Sequence, residues 1–405
     1  MGPTIGTINM KKACVFSNNY CNEAMLETQR LINIISKAGA PPSYLYTNKI
    51  DDADLIIFYT CGHLQATEAE SINTIRRILS KKKASSELIV WGCLPKINPE
   101  SLRRVFKGTM VGPEDWTFFY ELFGQPKGVA DGVYANALSV DDGLGIVNIS
   151  PFWRVHLRFR RFLDVQPKRI WYIRIESGCA NCCTYCSDRL AYRSVRSQPI
   201  ERIIQQFSLG LRNGYKYFFF VGRDLGSYGC DMGLSLASLL QAIYEKYPHQ
   251  DYKLLLDQVS PDALVNIYPD LNSSILSNKV FELGSNIQSG SDRILKLMGK
   301  RFKLYDWIRV IKSISRDHPQ IRLHTSMMVG FPSESEQDFR ESINLVNTVL
   351  FDNIAVYIYN ERPGLPSLRI KGRVPENTKR KRQQRMIHIA NLNVRKKRIS
   401  RNLHF

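Results

Sequence analysis

No stretch of this 405-residue chain is apolar for long enough to cross a bilayer. Its first residues lack the basic, apolar and small-residue succession of a signal peptide, and Gly6 stands where a myristoylation signal needs Ser or Thr. These absences predict a cytoplasmic protein with no membrane partner. Disulfides are unfavourable in that reducing setting, so the nine cysteines need another use. Acidic residues are also short, 37 against 56 Lys and Arg, for a formal charge of +19. The deficit is local. From Arg369 onward thirteen basic residues face a single acid, Glu376, while Arg154, Arg158, Arg160, Arg161, Lys168 and Arg169 face only Asp164. Concentrated positive charge predicts an anionic partner, with RNA foremost, although charge runs are also common as solvated helices or tails.

One cysteine run stands out. Cys179-Ala-Asn-Cys-Cys183-Thr-Tyr185-Cys186 has C-x3-C-x2-C spacing. Three thiolates can hold a [4Fe–4S] cube and leave one iron without a protein ligand, whereas four close the cluster for electron transfer. An open coordination position is what catalysis at a metal requires. The competing reading is a zinc site or buried thiols. Zinc sites usually pair C-x2-C spacings with a fourth ligand. Here the extra thiol, Cys182, sits directly beside Cys183, badly placed to share its metal.

The fold class is α/β. Residues 1–125 alternate strand-length apolar runs (Lys12–Phe16, Asp54–Tyr59, Leu88–Trp91) with helical spacing over Asn22–Lys37 and Glu68–Lys83. On the first helix Met25, Leu31, Ile34 and Ile35 line one face, with Asn22 as N-cap and Gly39 past the end. This order predicts a parallel, Rossmann- or flavodoxin-like sheet covered by helices. Cys21, Cys61 and Cys93 each follow one of the strands, at the edge where such sheets bind ligands. A single thiol is more often a small buried hydrophobe; three in one topological position reverse that preference. Cys14, inside the first strand, is the alternative to Cys21, and it and Cys230 keep the buried reading. Residues 126–168, with turn signals at Asp141-Asp142-Gly143 and Pro151, read as a linker. Residues 169–368 hold six strand candidates, Ile170–Ile175, Tyr217–Val221, Lys253–Val259, Val280–Gly284, Leu323–Val329 and Ile354–Tyr359, each followed by a helical stretch. Six β/α units predict a partial (β/α)6 TIM-type barrel with its chemistry on the loops after the strands. Residues 369–405 read as a basic helix or tail.

In this order the chain resembles the radical-SAM methylthiotransferase family, whose members attach –SCH3 to tRNA adenosines or to an aspartate of a ribosomal protein. The resemblance rests on the Cys179 run, Thr60-Cys61-Gly62 and Gly92-Cys93-Leu94. It extends to Gly222-Arg-Asp224 running on to Asp231, to Gln288-Ser289-Gly290-Ser291-Asp292, to Val329-Gly330-Phe331-Pro332 with Glu334, and to Arg362-Pro363-Gly364. Departures are Asn286 for a proline, Ser326 for an aspartate, Gln198 for an arginine, and Ser333-Glu334-Ser335 for Gly-Glu-Thr. The family's RNA-binding β-barrel (TRAM) has no counterpart, and the basic stretch stands in its place.

The resemblance implies two [4Fe–4S] clusters and S-adenosylmethionine (SAM). Cys179, Cys183 and Cys186 would hold the cluster that cleaves SAM to a 5′-deoxyadenosyl radical. Cys21, Cys61 and Cys93 would hold a sulfur-carrying cluster at a sheet edge that faces the barrel mouth. Tyr185 would pack on the first cluster or the adenine, or serve as a core aromatic. Arg196, Asp224, Gln288 and Ser289 would contact SAM, or else cap loops. A flavodoxin- or ferredoxin-type protein would supply electrons. The substrate is left open among tRNA, a protein side chain and a peptide or small molecule of a specialised pathway. Two alternatives stand beside C–S bond formation: radical-SAM chemistry with the second cluster passing electrons, and an RNA-binding protein with structural metal.

Overall fold

The computed structural model describes residues 10–18, 21–37, 44–126, 170–192, 194–271 and 273–402. Gly39, the linker beyond residue 126 with its turn signals, and the basic run at 154–169 lie outside the described residues. The chain divides into two compact units, Met1–Gln166 and Pro167–Phe405. Among the described residues no helix is long and apolar enough to cross a membrane.

The first unit holds a five-stranded parallel sheet of β1 (Lys11–Ser17), β2 (Tyr44–Tyr46), β3 (Leu55–Thr60), β4 (Glu87–Gly92) and β5 (Thr109–Val111). Its order is β2-β1-β3-β4-β5, the flavodoxin-like arrangement. Successive residues alternate between two cores. Val15, Ile57, Tyr59 and Trp91 pack with helix α1 (Asn22–Lys37), and Phe16, Ile56, Phe58 and Val90 pack with helix α2 (Gln65–Lys81). Burial on both faces explains why β3 and β4 are almost unbroken apolar runs. The three-residue edge strands β2 and β5 are too short to show in the sequence pattern. Helix α1 begins at Asn22, so Asn22 is not its cap. That role falls to Cys21, whose Sγ accepts the Ala24 N–H at 3.3 Å and whose carbonyl accepts the Met25 N–H. Met25 itself is only half-buried, and Ala24, Leu31, Ile34 and Ile35 form the inward stripe.

The second unit is built on β6 (Ile170–Arg174), a two-residue ribbon of β7 (Glu176–Ser177) and β8 (Arg196–Ser197), then β9 (Tyr217–Val221), β10 (Lys253–Leu256), β11 (Val280–Gly284), β12 (Arg322–Val329) and β13 (Asn353–Ile358). Six of these form one parallel sheet in strict chain order, β6 to β13, as expected of a partial barrel. The basic C-terminal stretch is not a free tail. It forms a helix, Glu376–Asn402, that packs on β13 and on helix Glu336–Thr348 and so completes the sixth β/α unit. Its inward residues are Arg382, Met386, Ala390, Asn393 and Lys397, at helical spacing. Buried Asn393 donates to the Val346 and Val349 carbonyls and accepts the Phe351 N–H, tying down the turn into β13.

Helix Glu336–Thr348 starts with a capping box, in which Ser335 and Asp338 exchange side-chain bonds to each other's backbone N–H. Burial opposes ionisation of Asp338, but hydrogen bonds from Arg293, Ser335 and Ser291 outweigh it and hold the carboxyl well below its usual range. A depressed native pKa stabilises above the unfolded value, about 4, and the benefit disappears as pH falls through the native one. Asp338→Asn is therefore expected to destabilise by about 2–4 kcal/mol at neutral pH. Chemical denaturation should show the deficit narrowing as the pH is lowered below about 4; a pH-independent deficit would contradict the assignment.

Candidate iron–sulfur and SAM site

The β7–β8 ribbon, pairing Glu176 with Ser197 and Ser177 with Arg196, closes the neck of the loop carrying Cys179, Cys183 and Cys186. At the neck Gly178 has φ of 86°, and a Cβ there would lie 2.1 Å from the Ser194 carbonyl. Glycine permits this backbone approach. Within the loop the Cys186 N–H donates to the Cys183 carbonyl at 3.3 Å. Thr184 pins the loop on two sides. It donates to the Met298 and Leu297 carbonyls, and its own carbonyl accepts the Ser367 N–H.

Asp224 is the main anchor. Its Oδ2 accepts Asn181 Nδ2 and Ser227 Oγ, both at 2.7 Å, and its Oδ1 accepts the backbone N–H of Gly226 at 3.1 Å and of Ser260 at 2.8 Å. Cys179 Sγ lies 3.9 Å from Oδ2. Ser227 Oγ accepts the Ala180 N–H, and buried Glu176 accepts the Asp224 N–H. One carboxylate thus joins the cysteine loop to the loops after β9 and β10.

The three thiols feel one another. Burial, then Asp224, pushes Cys179 up to about 12, and burial, Asp188 and Cys183 push Cys186 well above its ordinary value. A bound metal reverses this, because a coordinating thiol is deprotonated outright. A cube takes one thiolate per iron at separated corners, whereas zinc needs ligands converging on one point. Among the described residues no group of three or more His, Cys, Asp or Glu converges in the single-ion manner. Cys179, Cys183 and Cys186 supply three thiols from one loop, while the adjacent Cys182 is exposed.

The other expected contacts separate. Tyr185 is hydrogen-bonded to Cys183, and its ring meets Phe331 edge-on at 6.3 Å, between the cysteine loop and the loop after β12. Gln288 has φ of 74° and donates Nε2 to Ser326 Oγ at 2.9 Å, while its Oε1 is buried with no hydrogen-bond partner among the described residues. Left-handed backbone at a non-glycine residue and an unsatisfied acceptor both mark functional sites. The departures Asn286 and Ser326 each bond a left-handed glutamine, since Asn286 Nδ2 donates to Gln258 at 3.1 Å. Asp224 and Ser289 act as braces: four donors occupy the first, and the second is wholly buried against Ser291 and Ser342. Arg196 is exposed on the ribbon and makes no ion pair among the described residues. Asn181, Thr184, Ser227 and Glu334 lie inside the matched motifs, but no individual role could be read for them from the sequence. Asn181 lay within the x3 spacing, but its role depends on where Asp224 folds.

In the first unit Thr60 and Gly92 are register partners, so Cys61 and Cys93 follow side by side on neighbouring strands. Ser71 clamps Cys61 through both its N–H and its carbonyl, and the Cys93 N–H donates to the Thr60 carbonyl. Cys21 caps α1 beyond β1, the other neighbour of β3. A helix N-terminus favours a thiolate. Cys14 sits within β1 opposite Ile56, wholly buried, its thiol pushed up to about 12 by burial.

Two family models match: the radical SAM superfamily over residues 173–346 and the uncharacterized protein family UPF0004 over 15–112. A threonylcarbamoyladenosine tRNA methylthiotransferase of Thermotoga maritima is 29% identical over 89% of this chain and 78% of its own. A ribosomal protein uS12 methylthiotransferase of Protochlamydia amoebophila is 28% identical over 93% of this chain and 76% of its own. Two solved structures share the fold at 12% identity. The radical SAM methyltransferase TsrM of Kitasatospora setae has a TM-score of 0.57, covering 88% of this chain and 77% of its own. The cobalamin-dependent SAM radical enzyme OxsB has a TM-score of 0.55, covering 94% and 61%.

Proposed function

The chain belongs to the radical-SAM methylthiotransferase family, and from that premise we propose that it joins sulfur, as S or SCH3, to an unactivated C–H carbon with a second cluster as sulfur carrier. It is a radical-SAM enzyme, and membership implies SAM and a [4Fe–4S] cluster. In this reading Cys179, Cys183 and Cys186 hold that cluster, and Cys21, Cys61 and Cys93 hold the second. The observation that carries it is the second triplet: Cys61 and Cys93 directly follow register partners at the ends of β3 and β4, and Cys21 caps α1 beyond the end of β1. When bound, the cluster and SAM supply one-electron cleavage chemistry. The chain supplies position: Asp224 and Thr184 fix the cysteine loop, and Gln288 offers its Oε1 as a ligand acceptor. A flavodoxin- or ferredoxin-type donor is the reductant.

The relatives' names point to tRNA or ribosomal protein uS12 as substrate classes. RNA suits the exposed Lys381, Arg395, Lys396 and Arg398 of the last helix, which make no ion pair among the described residues.

The test uses the full chain, reconstituted without oxygen. Incubation with methyl-labelled SAM and no reductant should leave label on protein-bound sulfur, released by acid as methanethiol. The Cys21→Ala/Cys61→Ala/Cys93→Ala protein should lose that label and half the iron, yet still make 5′-deoxyadenosine once dithionite is added. Label persisting in the triple variant would defeat the sulfur-carrier role. Absence of label in wild type alongside SAM cleavage would favour an electron-passing cluster.

A further inference from the structure

The last helix reaches the barrel rim through one buried ion pair. Arg382 Nη1 donates to Glu334 Oε2 at 2.7 Å and to the Glu334 carbonyl at 3.0 Å, and its Nη2 approaches Glu336 at 3.4 Å. Both partners are nearly inaccessible, with side-chain exposures of 8% and 1%. Glu334 Oε2 also accepts the Gly330 N–H at 2.7 Å, so this carboxylate closes the loop after β12 on itself. Gly330 has φ of 75°, and a Cβ there would lie 2.3 Å from Lys379 Cγ, so the same helix presses on the loop a second time. Lys379 Nζ continues to the Tyr359 carbonyl. Phe331, wholly buried inside the loop, meets Tyr359 at 5.3 Å and Tyr185 at 6.3 Å, both edge-on. Tyr185 is bonded to Cys183. The contacts therefore run unbroken from the helix to the cysteine loop.

We propose that Arg382 is a positioning residue for the SAM site: through Glu334 it sets the Gly330–Glu334 loop, and with it the Phe331–Tyr185 wall beside the cysteines. The inference rests on the reading that SAM binds at this rim. Without Arg382 a buried carboxylate loses its cation, and of the helix's two contacts with the loop only the packing of Lys379 on Gly330 is left. The wall can then shift while the barrel stays folded, because Met386, Ala390 and Asn393 still dock the rest of the helix.

The test is calorimetric SAM binding to the anaerobically reconstituted full chain, with electron paramagnetic resonance of the reduced cluster before and after SAM. Arg382→Met should weaken SAM at least tenfold and blunt the SAM-induced spectral change while iron content stays at the wild-type level. Arg382→Lys, which keeps the charge, should recover most of the affinity. Asn393→Ala serves as the structural control, lowering the melting temperature through the same helix without weakening SAM. Equal loss of SAM affinity in Asn393→Ala and Arg382→Met, or a lowered melting temperature alone in Arg382→Met, overturns the inference. A wild-type protein that binds no SAM overturns the underlying reading, and the inference with it.

Discussion

Cys183→Ala should abolish reductive cleavage of SAM, with 5′-deoxyadenosine falling more than about 1000-fold, above 4 kcal/mol on the barrier. Cys183 is the one buried cysteine residue of its loop among the described residues, and Tyr185 is bonded to it. On the proposed assignment, removing it takes away one of three ligands for which the loop has no spare. The adjacent Cys182 does not replace it, because it is exposed while Cys183 faces inward. Cys182→Ser is the matching control and should keep both iron and activity. Iron and sulfide analysis of the two variants, followed by product quantification under dithionite, gives the answer. Full SAM cleavage by Cys183→Ala would remove the basis for the first cluster assignment.

The second large effect should come from Asp224, although it need not touch any ligand. Asp224→Ala leaves Asn181 Nδ2, Ser227 Oγ and the Gly226 and Ser260 N–H groups without their acceptor. A stranded buried donor costs about 1–3 kcal/mol; Ser227 is buried and the other three are half-buried, so their costs are smaller and add only partly. A total of about 4–6 kcal/mol is a large share of the stability of a typical domain, about 5–15 kcal/mol. The expected result is a melting temperature lowered by ten degrees or more, together with iron lost on desalting. Asp224→Asn should fall between, since it keeps one oxygen and turns an NH2 toward two donors. Unchanged melting and iron in Asp224→Ala would show that Asn181 and Thr184 hold the loop unaided.

The nine longer strands were readable to within about three residues: β3 and β4, covered on both faces, are continuous apolar runs, and the others bury enough of their side chains to stand out. The cysteine spacings were readable because ligands on one loop must be close in sequence. The last helix fits the basic helix or tail expected there, but its docking on the barrel could not be read, for an equally physical reason. Three of its five inward residues, Arg382, Asn393 and Lys397, are polar or charged, so no apolar stripe marks the buried face. Their partners are distant in sequence: Glu334 is 48 residues from Arg382, and Ser315 is 82 from Lys397. The same distance hid the function of Asp224. A carboxylate at a strand end looks alike in sequence whether it faces a ligand or four protein donors.

The order of residues alone determined which thiols share one loop and the six strands of the second sheet, though not the two short edge strands of the first, because spacing and long apolar runs are short-range signals. Tertiary structure decided which polar side chains are free to meet a ligand and which are spent on bracing. Hydrogen bonds and ion pairs form between groups whose meeting depends on the whole folded path of the chain.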